Sequence, residues 1–269
     1  REALEHIEAA ATGLRLALGP NAVPTVNAEF ARAIVLADMD RHDQAIPALL
    51  ALIEQQGALK GINHPAVLTL RNSLAVFFLQ SRRYADGERE LKALLGPYAA
   101  QYGDDNSSTL MIKGNLAGAL RQQGKIDESG PYYLAAMQGN RAIYGSNHPR
   151  SIMTLHNYGN WLLDAGRTDD AERAQLEALS AAADAFPDPH PTRAEILTSL
   201  GKVRTRQQRF DEAEHHLLQS VEMKTALRGP SNSRLFQSRE ALRELYAAWG
   251  RPDDVTRYEE PIVAADPDP

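Results

Sequence analysis

The chain has 269 residues, 43% of them hydrophobic and 24% charged, which is enough apolar content to bury a substantial core and too much for a disordered chain. Its formal charge of -6 at pH 7 opposes a sequence-independent nucleic-acid role, which needs a cationic face, and no segment approaches the roughly 20 uninterrupted apolar residues required for membrane insertion. With Cys 0 there is no disulfide framework, thiolate zinc site or cysteine nucleophile, a composition that fits a reducing, cytoplasmic setting.

In residues 1–21, Ala3 stands 42 positions before Ala45. That register predicts that Arg1 to Leu18 is the second helix of a repeat whose first helix is expected upstream, with an apolar face open to self-association. Residues 22–264 then read as tandem 42-residue units, because His64-Pro65, His148-Pro149 and His190-Pro191 are separated by 84 and 42 positions and Asn106 and Asn232 fall at the missing steps. Units begin near Ala22, His64, Asn106, His148, His190 and Asn232. Proline after histidine suits a first helical turn, where its missing N–H is not needed. Gly61, Gly103, Gly145 and Gly229 form a column of helix stops, with Gly19 at its start and Pro187 as its departure. Gly124, Gly166 and Gly250, aligned with Arg82 and Gln208, mark a turn within each unit. Residues 265–269 are an acidic, proline-rich tail expected to fray.

On either side of the internal turn, apolar residues recur at helical spacing, as in Val67, Leu74 and Phe78, or Leu155, Tyr158, Leu162 and Leu163. Each unit is therefore two helices, and no strand pattern competes. Two columns are small throughout: Ala75, Ala117, Gly159 and Gly201 in the first helix, and Ala45, Gly87, Ser129, Ala171 and Ala213 in the second. They predict close contact between the paired helices. In the first full unit, Arg32 stands where later units have Leu74, Leu116 or Leu200, which predicts a rotated helix there.

With His64-Pro65-Ala66-Val67 followed by Asn72, Leu74 and Ala75, the chain resembles the 42-residue tetratricopeptide repeats of kinesin light chains. Gly124-Lys125 at the turn, Asp170-Ala171-Glu172 opening the second helix and Tyr144-Gly145 closing it carry the likeness, which covers nearly the whole chain. The resemblance implies an all-α fold, a tetratricopeptide-repeat right-handed superhelix (α-solenoid), whose first helices line an inner wall. The segment Leu245-Tyr246-Ala247-Ala248-Trp249-Gly250-Arg251-Pro252 also resembles the last repeat of tetratricopeptide regions attached to bacterial serine/threonine kinases.

The three His-Pro histidines recur one or two periods apart, in successive loops too distant to share an ion, and His215-His216 are about 100° apart on one helix, so no metal site and no cofactor are expected. Carboxylate pairs such as Asp169-Asp170, Asp211-Glu212 and Asp253-Asp254 open helices, where negative charge meets the positive end of the dipole. Without a glycine-rich phosphate loop or a spaced Ser, His and Asp set, no catalytic residue is expected.

Inner-wall positions, measured from the small column and the family's geometry, are Asn72, Asn115, His156, Asn157, Asn160, Lys202 and Arg206. An asparagine amide both donates and accepts, so a ladder of them can hold a peptide backbone, while Lys202 and Arg206, four apart on one helix, suit an acidic segment or a terminal carboxylate. Bonding within the hairpin or to solvent is the competing reading of these residues. The expected function is a protein- or peptide-binding scaffold using the concave groove. The alternative is the sensory or substrate-recruiting repeat region of a bacterial serine/threonine kinase or transcriptional regulator.

Overall fold

The computed structural model describes residues 2–228 and 235–258. The column positions Gly229 and Asn232, residues 259–264 and the tail 265–269 lie outside the described residues. Among the described residues there are thirteen helices and no strand. α1 (Glu2–Leu18) stands in second-helix register. It is followed by the pairs α2 (Val23–Asp38) and α3 (His42–Lys60), α4 (Pro65–Gln80) and α5 (Tyr84–Tyr102), α6 (Ser107–Gln122) and α7 (Ile126–Tyr144), α8 (Pro149–Asp164) and α9 (Thr168–Ala185), α10 (Pro191–Arg206) and α11 (Phe210–Arg228), and α12 (Leu235–Trp249) with the short α13 (Pro252–Thr256).

The His-Pro column consists of helix caps. His64 Nδ1 accepts from Ala66 N at 3.2 Å, His148 Nδ1 from Arg150 N at 3.1 Å and His190 Nδ1 from Thr192 N at 3.2 Å; Asn106 Oδ1 does the same for Ser108 N at 2.9 Å. Each satisfies one of the backbone donors orphaned at a helix start. Two of the imidazoles also stack on the aromatic residue that ends the preceding helix, His148 on Tyr144 and His190 on Phe186, with centroids 4.3 and 3.9 Å apart. The internal turn requires a left-handed residue in every unit where it is described. Gly124, Gly166 and Gly250 supply it at φ 74–75°, and Asp40, Arg82 and Gln208 take φ 59–60° despite their side chains. At Pro187 the stop column changes mechanism, and α9 ends at Ala185, followed by Phe186 in an extended conformation with φ -127°.

The chain forms two compact units, Arg1–Tyr132 and Tyr133–Pro269. In the first, Leu36, Leu49, Val67, Leu74 and Phe77 form one core cluster, and Leu68, Leu91, Leu94, Leu116 and Leu120 belong to a second. Helix α2 keeps the repeat register rather than rotating: Ala33, 42 positions before Ala75, is 1% exposed. Arg32 is accommodated because its long side chain turns its guanidinium out to Glu29, with Nε donating at 3.0 Å.

In three units a second-helix glutamate ties its hairpin to the next turn, whereas Ile46 and Gly130 hold that column in the other two. Glu88 accepts from Lys125 Nζ at 2.7 Å, Gln123 Nε2 at 2.8 Å and Lys92 Nζ at 2.6 Å. Burial pushes this carboxyl up, but the three hydrogen bonds outweigh it and bring it down to about 2. In the second unit Glu172 accepts from Gln207 Nε2 at 2.5 Å, from Arg209 at 3.3 Å and from the buried Arg204. Glu214 accepts from Tyr246 Oη at 2.7 Å and Arg251 at 3.3 Å. Lys125, Arg209 and Arg251 each lie 37 residues after their glutamate, so the residue after the left-handed turn position, Gly124, Gln208 or Gly250, supplies the cation that joins one hairpin to the next.

Candidate binding surface

The first helices carry all seven expected site residues, and their fates differ with position on the helix. Asn72 and His156 lie three residues before a small-column residue, and i,i+3 neighbours share a helix face, so both turn toward the paired second helix. His156 is 7% exposed. Its Nδ1 is 2.8 Å from Gln175 Oε1, an atom that only accepts, so Nδ1 carries the proton and Nε2 accepts from Asn160 Nδ2 at 3.2 Å. Gln175 Nε2 donates in return to His156 O at 3.0 Å and Asn160 Oδ1 at 3.1 Å. Gly159 leaves room for this amide: a Cβ there would lie 2.6 Å from Gln175 Nε2. His156 and Asn160 are thus engaged inside the α8/α9 hairpin, and Gln175, which no first-helix pattern points to, is what holds them. In the first unit Asn72 is half-buried, with its Oδ1 buried and without a hydrogen-bond partner.

Asn115 and Asn157 lie one residue further along, rotated away from the paired helix. Asn115 is half-buried and Asn157 exposed, and neither side chain is hydrogen-bonded. Lys202 and Arg206 line a cleft of about 600 Å³ at the C-terminal ends of α8, α10 and the facing part of α12. Thr205 and Phe210 complete its wall together with the carboxylates Asp164 and Glu244. Among the described residues neither Lys202 nor Arg206 has an ion-pair partner, whereas Arg204, Arg209 and Arg251 nearby are all tied to carboxylates. Asp164 and Glu244 were legible from the register, since Asp164 precedes Arg206 by 42 residues and Glu244 follows Lys202 by 42. Among the described residues no group of three or more histidine, aspartate or glutamate side chains stands together as a metal cage, and no helix is long and apolar enough to cross a membrane.

Helical hairpins repeated at a fixed period, closed by caps and left-handed turns and presenting polar first-helix faces, define a repeat protein rather than a single globular core. Residues 108–184 match the family model described as tetratricopeptide repeat. BtubC (BKLC) from P. vanneervenii has a similar structure, with TM-score 0.70, 17% identity, and 84% of this chain and 91% of that one covered. So do the kinesin light chain TPR-like repeats of Podosopora anserina (TM-score 0.63, 16% identity, 76% and 96% covered) and a Rap protein complexed with Competence and Sporulation Factor (TM-score 0.68, 11% identity, 95% and 76% covered). No curated protein matches the chain by sequence. The fold is that of tetratricopeptide repeats.

Proposed function

We propose that the first-helix wall binds a segment of a partner protein, and that the Lys202–Arg206 cleft receives an acidic part of it. The observation carrying this reading is that both cations stand in a cleft of about 600 Å³ without an ion pair among the described residues. Asn157, exposed and free of hydrogen bonds on the neighbouring α8, adds an amide able to meet a peptide backbone. Asn115 offers the same chemistry in the first unit. His156 and Asn160 would act indirectly, by holding α8 against α9. The Rap protein of similar fold, solved with Competence and Sporulation Factor, supports a binding role for such a scaffold. A sensory or substrate-recruiting region of a kinase or transcriptional regulator would use the same wall.

The test compares partners captured from a lysate by the parent, a Lys202→Ala/Arg206→Ala variant and an Arg89→Ala/Arg173→Ala control on exposed second-helix positions. Loss of one charged contact costs about 1.5–3 kcal/mol, so the cleft variant should bind at least about tenfold more weakly while the control stays near parental. Parental affinity of the cleft variant for every partner refutes the reading.

A further inference from the structure

The second unit contains the same inter-repeat gap twice, once closed and once open. The closed copy lies among α7, α8 and α9 and encloses about 10 Å³, bounded by Met137, Arg141, Ser146, Ser151, Leu155, Glu177 and Ala181. Adding 42 to each number gives Leu179, Ala183, Asp188, Arg193, Leu197, Gln219 and Met223, and all of these bound a groove of about 710 Å³ among α9, α10 and α11. The two copies also differ in what spans the gap. In the closed copy Arg141 on α7 pairs with Glu177 on α9 at 2.8 Å, spanning the gap between consecutive second helices. In the open copy Ala183 and Gln219 stand at those positions, and an alanine methyl reaches nothing across the gap. Ser151 donates to Asn140 O at 3.1 Å and stays within the closed wall, but its counterpart Arg193 turns instead to Asp188 at 2.9 Å.

The open groove's walls are apolar, with Leu179, Leu197, Met223 and the 41% exposed Leu176 along them. Its volume lies within the roughly 300–1,000 Å³ of ordinary ligand sites. Of its charged residues, Asp188 and Arg193 neutralise each other, leaving the exposed Glu222, one turn beyond Gln219 on α11, as the charge with no ion pair among the described residues. The closed copy shows what suits such a gap: a side chain with an aliphatic stem and a cationic end.

We propose that this groove is a second docking site, separate from the first-helix wall, for a short amphipathic partner segment. The segment's arginine or lysine takes the place that Arg141 fills one repeat earlier and pairs with Glu222. Its flanking apolar side chains lie on Leu176, Leu197 and Met223, where the flexible methionine adapts to their shape.

The experiment uses the full chain and a fluorescent helical probe peptide with two leucines flanking one arginine on one face and glutamine and alanine elsewhere, beside an analogue carrying glutamate for that arginine. The sealing variant Ala183→Arg/Gln219→Glu rebuilds the bridge of the closed copy and should keep or raise the thermal midpoint. The parent should bind the arginine probe about tenfold or more tightly than the glutamate analogue, and sealing should weaken the arginine probe about tenfold or more. Glu222→Gln, at an exposed position that leaves the fold alone, should weaken it about three- to tenfold. Lys202→Ala/Arg206→Ala should leave it unchanged, so that this site and the first-helix wall fail separately. Absence of arginine-probe binding to the parent, equal binding to the Glu222→Gln variant, or equal preference for the glutamate analogue overturns the proposal. Undiminished binding to a folded sealing variant does the same.

Discussion

The α8/α9 and α10/α11 hairpins occupy the same register 42 residues apart, yet they leave their first-helix faces in opposite states. In the earlier hairpin, Gly159 admits Gln175, whose amide holds His156 and Asn160. In the later one, Gly201 admits the fully buried Leu217, which can hold no polar group, and Lys202, the counterpart of Asn160, stands free at the cleft. His156 is replaced there by Thr198, which joins Ser220 and Ser238 in a buried hydroxyl cluster at 2.8–2.9 Å. One second-helix residue, glutamine or leucine, thus decides whether first-helix polar groups serve the fold or face outward.

The largest expected effect comes from filling the apolar junction. Gly201→Trp should destabilise the protein by about 1–3 kcal/mol, read as a fall in the urea midpoint, because the added side chain meets the branched carbon of Leu217, which has no room to yield. Gly159→Ala should change the midpoint less than Gly201→Ala, since the nearest atom is the end of a flexible amide; equal losses for the two alanine variants would erase the distinction drawn between the hairpins.

Next in size is the carboxylate tie, where Glu88 of the first unit and Glu172 of the second stand 84 residues apart in one column. The Glu88 carboxyl falls from 4.5 to about 2 on folding, so its stabilisation is complete above pH 4.5 and disappears as pH drops toward 2. Glu88→Gln should cost about 1–2 kcal/mol at pH 7, after allowance for partial solvent exposure, and the parent and variant midpoints should converge over that window. A gap that persists unchanged in acid would place the contribution in packing instead.

Gln175→Leu converts the earlier hairpin toward the later one. It should cost about 1 kcal/mol as His156 loses its partner, and it should release Asn160, seen as side-chain amide NMR signals moving toward solvent-exposed positions. A smaller change, about 0.5–1 kcal/mol, is expected for His148→Ala, which removes one N-cap of α8 while leaving the Glu172 tie intact; hydrogen exchange at Arg150 N should quicken, and unchanged protection there would deny the cap.

Much of the fold was legible because the period repeats the same local chemistry. The His-Pro and Asn column marked helix starts, and the structure gives the mechanism, imidazole Nδ1 or amide oxygen accepting from the second residue of each helix. Carboxylates at the second-helix openings were read as dipole partners, and they also bind the arginine of the preceding turn, as Asp86 does with Arg83 at 2.8 Å and Asp254 with Arg251 at 2.7 Å. The candidate site was less legible. Lys202 and Arg206 could be placed together because they share one helix face, but nothing in the first helices distinguishes the engaged Asn160 from the free Asn157. The outer groove was legible only as a pair of substitutions, Arg141 to Ala183 and Glu177 to Gln219, without meaning until the two gaps are compared in space.

Sequence alone determined where helices start, stop and turn, since caps, left-handed residues and small columns act on backbone within a few positions and return every 42 residues. Tertiary structure alone decided which polar side chains remain available and which gap stays open. Those outcomes depend on the residue arriving from another helix, Gln175 or Leu217 against a glycine and Glu177 or Gln219 across a gap, and a hydrogen bond or ion pair forms only when both partners reach it.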